Sequence, residues 1–182
     1  MRPFEMTLSA FLLLSTGLNC FLLRQPLATV FREALVVVQP ETIPLSFIAK
    51  SISGKDIEVN FGASDSTVIY YVDPHCSWCR KNLSAFQSLQ ASLASSGVNL
   101  LVFTHKSGDL RDVVPSDIPP DRILVVSDAQ ASNFLHFSEG TPQTFWVNRK
   151  GELRKRWVGA YSPATLSEVK SYAVRSKHNS WF

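Results

Sequence analysis

Two cysteines separated by two residues stand where a buried strand gives way to a helix. Residues 67–72 form a β-branched and aromatic run that is typical of a buried strand. Cys76 and Cys79 follow it, and apolar residues then recur at helical spacing up to Gly97, which predicts a helix over residues 77–96. A cysteine pair at the start of a helix constrains both the fold of the chain and its chemistry.

The chemistry expected of this pair follows from its place on the helix. Free N–H groups at a helix N-terminus favour an anion, so a thiolate is stabilised at the first cysteine. The second thiol lies one helical turn further on, where it can attack a mixed disulfide formed on the first. We therefore predict that Cys76 is the attacking nucleophile and Cys79 the resolving thiol. Asp73, His75 and Lys81 are candidates for modulating the acidity of the pair.

Two other interpretations of the pair stay open. Zinc ligation usually needs a second cysteine pair or paired histidines, whereas His105, His136 and His178 are scattered along the chain. The pair could also be two buried structural thiols. Redox chemistry is the leading interpretation, and neither a metal nor a cofactor is predicted.

The rest of the chain alternates strands with helices. Hairpins are predicted where alternating apolar residues flank a glycine turn, at residues 53–55 and at residues 148–151. The predicted elements, in chain order, are strands at 45–49, 56–61 and 67–72, a helix at 77–96, strands at 98–103 and 123–126, a short helix at 128–137, strands at 144–147 and 153–158, and a last helix that opens at Ser162–Pro163. This order predicts an α/β fold, with a central mixed sheet flanked by helices on both faces.

An uncharged and largely apolar segment occupies residues 6–23. As a helix, these 18 residues would span about 27 Å, close to the roughly 30 Å hydrocarbon core of a bilayer. We predict an uncleaved transmembrane anchor over residues 1–24, with a signal sequence and a buried soluble helix as the alternatives. Cys20 is then a passive apolar residue of the span.

The remaining length fits one ordinary domain. We predict a linker at residues 25–43, a globular domain at 44–176 and an unstructured tail at 177–182.

The chain is 45% hydrophobic and only 18% charged, which excludes a disordered protein. Its net charge of +3 is too small to argue for a nucleic-acid partner.

Three segments, in the right order, resemble thioredoxin-fold proteins. They are the hairpin containing Gly54, the cysteine segment 76–81, and the segment 140–147, which reads Gly-Thr-Pro-Gln-Thr-Phe-Trp-Val. Together they resemble the membrane-anchored TlpA-like thiol–disulfide oxidoreductases of bacteria, within the redoxin (AhpC/TSA-like) superfamily. The resemblance implies that the bond before Pro142 is cis and that Thr141 and Pro142 form a substrate-facing loop. Trp78, between the cysteines, is a further candidate substrate contact.

The resemblance also implies a function. It predicts a membrane-anchored thioredoxin-like oxidoreductase that exchanges disulfides with protein substrates and a redox partner, with its domain on the extracytoplasmic side. Asn82 stands where many cytochrome-maturation members carry a glutamate, and His75 stands where the family often has tryptophan. The direction of the redox reaction therefore stays open.

Two alternative functions and one topological question accompany this prediction. A peroxiredoxin-like peroxidase would need the pattern Pro-x-x-x-Thr-x-x-Cys at Cys76, which the sequence lacks. A copper- or metal-binding chaperone would use both cysteines and a histidine.

The membrane orientation is open because Arg2 precedes the apolar span while Arg24 and Arg32 follow it.

Overall fold

Seven strands form one mixed sheet in the computed structural model, which describes residues 43–127 and 140–178. The elements, in chain order, are β1 (Ser46–Ser51), β2 (Asp56–Asn60), β3 (Ser66–Tyr71), α1 (Ser77–Ser96), β4 (Asn99–Thr104), β5 (Ile123–Val125), β6 (Gln143–Asn148), β7 (Leu153–Val158) and α2 (Pro163–His178). Across the sheet the strands lie in the order β2-β1-β5-β4-β3-β6-β7. The central strands β3, β4 and β5 are parallel, and the outer strands join them antiparallel.

This architecture confirms the predicted α/β class and the order of the elements. Every predicted strand is present within two residues of its expected ends, and α1 has the expected bounds. The first hairpin turns at Gly54 and the second at Gly151, both of which have positive φ. The local signals of glycine turns and apolar periodicity were therefore sufficient to place these elements.

The two faces of the sheet carry separate apolar cores. Successive residues of a strand point to opposite faces. Accordingly, Val68 and Tyr70 of β3 pack with residues of α1 and α2, whereas Ile69 and Tyr71 belong to the other core. Both described helices thus lie on one face. The short helix predicted over residues 128–137 lies outside the described residues, so helices on both faces remain a prediction.

Residues next to both predicted ends of the domain take part in the described fold. Ile43, which was assigned to the linker, is buried, and its N–H donates to the carbonyl of Gly151 at 2.8 Å. At the other end, Ser162 caps α2 by accepting the N–H of Thr165 at 3.1 Å, as predicted. The helix then continues to His178. The domain bounds at 44 and 176 stay a prediction.

The predicted membrane segment cannot be compared with the structure. Residues 1–24 and nearly all of the linker lie outside the described residues. Among residues 43–127 and 140–178, no helix combines the length and the apolar character needed to cross a membrane.

Candidate active site

The two cysteines meet at the N-terminal end of α1, just beyond the end of β3. Cys76 caps the helix, because its Sγ accepts the N–H of Cys79 at 3.1 Å. Both cysteines are free thiols, but Cys76 is partly exposed whereas Cys79 is fully buried. An incoming disulfide can therefore reach Cys76 before it reaches Cys79.

The buried thiol holds its proton tightly. Burial raises the pKa of Cys79 to about 12, and the hydrogen bond between the two thiols adds to the rise. Hydrogen bonds from the backbone of Asp73 and from the side chain of Thr141 act in the opposite sense, because they favour the thiolate. Cys79 is therefore protonated at neutral pH in the reduced protein, with two donors already in place for its anion.

The loop that the resemblance marked as substrate-facing lies against the exposed thiol. The Thr141–Pro142 bond is cis, as expected. Cys76 Sγ donates to the carbonyl of Thr141 at 3.3 Å, and the carbonyl of Pro142 accepts the N–H of Gly159 at 2.8 Å. The structure thus brings Cys76, Cys79, Thr141 and Pro142 together, although the loop lies more than sixty positions from the pair.

The other predicted site residues surround this centre. Trp78 is 58% exposed, and Lys81 Nζ lies 4.5 Å from the centroid of its ring, a cation–π contact. His75 is exposed, and its backbone N–H donates to Asp73 Oδ1 at 2.7 Å. Among the three candidate modulators, Asp73 is the one that hydrogen-bonds to the cysteine pair through its backbone.

Sequence analysis missed a histidine that joins this site. His105 Nε2 lies 3.3 Å from Asp73 Oδ2, and its Nδ1 lies 2.7 Å from the hydroxyl oxygen of Tyr71. The signal that could have found it is strand order: β3 and β4 are adjacent and parallel, with Tyr71 opposite Phe103. Residues that directly follow two adjacent parallel strands lie at the same edge of the sheet, so Asp73, after β3, and His105, after β4, lie close together.

A buried polar network lies behind Cys79 and contains no acid. Asn82 Nδ2 donates to the hydroxyl of Tyr70 at 2.8 Å, and its Oδ1 accepts the backbone N–H of Tyr161 at 2.8 Å. The hydroxyl of Tyr161 is hydrogen-bonded to that of Thr144. Burial raises the pKa of both tyrosines, so both are neutral over the physiological range. Asn82 therefore serves here as a neutral connector.

The described residues offer no ready-made metal centre. In residues 43–127 and 140–178, His, Cys, Asp and Glu side chains do not gather in groups of three or more that could hold a metal ion. Asp73 and His105 face each other at the site, and Lys106 Nζ lies 3.8 Å from Oδ2 of Asp73.

Comparison with known proteins points to the same chemistry as the cysteine pair. No protein-family model matches the chain. Over 134 residues it is 26% identical to the sporulation thiol–disulfide oxidoreductase A of Bacillus subtilis, an alignment that covers 71% of this chain and 79% of that protein. The chain is therefore similar in sequence to a thiol–disulfide oxidoreductase. The resemblance found in the three sequence segments is thereby confirmed.

Solved structures establish the fold. A thiol:disulfide interchange protein of Chlorobium tepidum superposes with a TM-score of 0.59 at 18% identity, covering 76% of this chain and 96% of its own. A protein of Bacteroides thetaiotaomicron described as a protein disulfide isomerase superposes with a TM-score of 0.58 at 12% identity, covering 77% and 90%. The chain therefore has a thioredoxin-like fold.

Proposed function

We propose that the chain exchanges disulfides with protein substrates through Cys76 and Cys79. One observation carries the proposal: a partly exposed thiol caps a helix and contacts the loop of Thr141 and Pro142, while a buried thiol lies one turn behind it. Thiol–disulfide exchange needs both an accessible attacking sulfur and a second thiol within reach of the mixed disulfide. The relationship to thiol–disulfide oxidoreductases supports the same reaction.

The reaction proceeds in two exchanges. The sulfur of Cys76 attacks a substrate disulfide, which forms a Cys76–substrate disulfide and releases the other substrate sulfur as a thiol. Cys79 then loses its proton and attacks the sulfur of Cys76, which forms the Cys76–Cys79 disulfide and releases the second substrate thiol. The two electrons of the dithiol reduce the substrate, and the reverse sequence oxidises it. Asp73 and Thr141 hydrogen-bond to the sulfur of Cys79 and favour its thiolate in the second exchange.

Features beside Cys76 support a protein as the substrate. Trp78 offers an exposed aromatic surface next to the attacking thiol. The backbone at Thr141, which precedes Pro142, can pair with an extended substrate segment. An apolar contact together with main-chain pairing would orient a substrate disulfide towards Cys76.

We also propose that residues 1–24 anchor the domain predicted at residues 44–176 to a membrane, with the domain on the extracytoplasmic side. The support is the uncharged apolar segment at residues 6–23. In cells that express the full chain, the protein should resist carbonate extraction from membranes, and its domain should be cleaved by externally added protease. A protein that sediments with membranes only until carbonate treatment would contradict the anchor.

The exchange reaction is tested with the reduced full-length chain and insulin. The Cys76→Ser variant should lose insulin reduction, whereas the Cys79→Ser variant should accumulate mixed disulfides visible on non-reducing gels. Cys20→Ser is the matched control and should retain full activity. Full activity of Cys76→Ser would contradict the proposal. Rapid peroxide consumption, or stoichiometric copper retention after dialysis without insulin reduction, would favour the peroxidase or the metal chaperone.

A further inference from the structure

The turn that precedes Cys76 is contacted by His105, which directly follows the neighbouring strand β4. The imidazole lies between the hydroxyl of Tyr71, 2.7 Å from Nδ1, and the carboxylate of Asp73, 3.3 Å from Nε2. An imidazole that accepts at Nδ1 and donates at Nε2 suits both neighbours, because the tyrosine hydroxyl can donate to it and the aspartate can accept from it. His105 thus links the end of β3 to the side chain of Asp73.

Asp73 contacts the turn before α1 at two points. Its Oδ1 accepts the N–H of His75 at 2.7 Å. Its carbonyl accepts the N–H of Cys76 at 3.1 Å. A displacement of Asp73 would therefore alter the turn that sets the position of Cys76 relative to Cys79.

The segment that carries His105 also packs against this turn. A Cβ atom placed on Gly108 would lie 3.1 Å from Cγ of Pro74, so the backbone at Gly108 packs closely against the ring of Pro74. His105 and Asp73 are themselves mostly buried, with 23% and 18% of their side chains exposed. The segment after β4 therefore supports the turn through one polar contact and one packing contact.

We propose that His105 is a positioning residue for the resolving step: it holds Asp73, whose carbonyl accepts the N–H of Cys76, and so keeps the sulfur of Cys76 within reach of Cys79. This inference rests on the proposed exchange reaction and assigns a role in it to a residue outside the cysteine segment. Loss of the contact should slow the attack of Cys79 on the mixed disulfide more than it slows the first attack by Cys76.

Ellman's reagent separates the two steps. In the reduced full-length chain, held in detergent and carrying Cys20→Ser, Cys76 attacks the reagent and releases one thionitrobenzoate in a bimolecular phase. Cys79 then attacks the resulting mixed disulfide and releases the second thionitrobenzoate in a phase whose rate is independent of reagent concentration. Absorbance records both phases in one trace.

Two substitutions of His105 differ in the contact that they retain. The amide of His105→Asn can reach Tyr71 but ends short of Asp73, whereas His105→Gln places an N–H near the position of Nε2. We expect His105→Asn to slow the second phase by about threefold to tenfold, the usual effect of one hydrogen bond. His105→Gln should stay within about twofold of the unsubstituted rate. Lys106→Gln removes the ammonium group that lies 3.8 Å from Asp73 Oδ2 and should also stay within about twofold.

The rate of the second phase in these variants either supports or overturns the role proposed for His105. An unchanged second phase in His105→Asn would overturn the proposal, as would an equal slowing in His105→Gln or Lys106→Gln. Circular dichroism and thermal unfolding show whether the variants are folded. If His105→Asn does not fold, Tyr71→Phe removes the hydroxyl that holds the ring, and an unchanged second phase there overturns the proposal equally. Absence of any second phase with His105 intact would instead contradict the proposed function.

Discussion

Asn82 accepts the backbone N–H of Tyr161 at 2.8 Å, across 79 positions of sequence. The contact ties α1, which carries the cysteines, to the segment that leads into α2. The same side chain donates to Tyr70, so a neutral amide fills a buried polar position behind Cys79. The proton that leaves Cys79 during exchange therefore has no carboxylate to accept it at this position.

Replacement of Asn82 should destabilise the domain. Asn82→Ala leaves the backbone N–H of Tyr161 and the hydroxyl of Tyr70 without their partner, and each unsatisfied buried group costs about 1–3 kcal/mol. We expect the free energy of unfolding in urea to fall by about 2–4 kcal/mol. Ser84→Ala, on the exposed side of the same helix, is the control and should change it by less than about 0.5 kcal/mol. Equal effects of the two substitutions would contradict the network.

The high pKa of Cys79 should make stability depend on alkaline pH. Because the pKa is about 12 in the folded protein and about 8.5 in an unfolded chain, the folded state retains its proton where the unfolded state has lost it. The contribution of protonated Cys79 to the free energy of unfolding is fully present below about pH 8.5. Between about pH 8.5 and 12 unfolding releases the proton of Cys79, so the free energy of unfolding falls as pH rises across that window.

Unfolding experiments on the reduced protein between about pH 8 and pH 10.5 test this dependence. Cys79→Ala removes the titrating group, and its free energy of unfolding should fall less steeply with pH than that of the unsubstituted chain. Since the tyrosines are retained in both proteins, the difference reports Cys79 together with its interaction with Cys76. Parallel pH curves for the two proteins would refute the expectation.

The hydroxyl of Thr141 should assist the resolving step. Its hydrogen bond to Cys79 favours the thiolate, so Thr141→Val should raise the pKa of Cys79 further. We expect the second phase with Ellman's reagent to slow by about twofold to tenfold. Thr141→Ser keeps the hydroxyl and should react at nearly the original rate. A normal rate in the valine variant would show that the hydroxyl has no part in this step.

Trp78 should matter for large substrates more than for small ones. Its exposed ring offers contact area to a protein but not to a compact aromatic disulfide. For Trp78→Ala we expect kcat/KM for insulin to fall about tenfold while the first phase with Ellman's reagent changes less than about twofold. Ile52→Ala removes a partly exposed apolar side chain from the first hairpin and is the control. An equal loss with both substrates would indicate damage to Cys76 rather than a docking role.

The two hairpin glycines should differ in their tolerance of alanine. Both have positive φ, 84° at Gly54 and 76° at Gly151, which disfavours any side chain. A Cβ on Gly54 meets open space, whereas one on Gly151 would lie 2.6 Å from the carbonyl oxygen of Ile43. Gly54→Ala should cost about 1 kcal/mol, and Gly151→Ala at least about 1 kcal/mol more, measured by thermal unfolding. Equal costs would indicate that Ile43 moves aside freely.

The sequence predicted the parts of the site that depend on local signals. Cys76 and Cys79 were recognised because a strand, a cysteine pair and a helix follow one another directly, and Thr141 and Pro142 because they match a known segment. His105 and the network of Asn82 escaped notice because their partners lie far away in sequence, 32 and 79 positions for His105–Asp73 and Asn82–Tyr161. Their roles depend on strand order and on helix packing, which apolar periodicity does not specify.

Ile43 enters the domain beside Gly151, at the turn between β6 and β7, whereas Cys76 lies beside Thr141, before the other end of β6. The six residues of β6 separate these two ends by about 20 Å. Ile43 therefore lies at the end of the sheet opposite the reactive sulfur. A protein substrate that approaches Cys76 can be accommodated there without contact to the turn at Gly151.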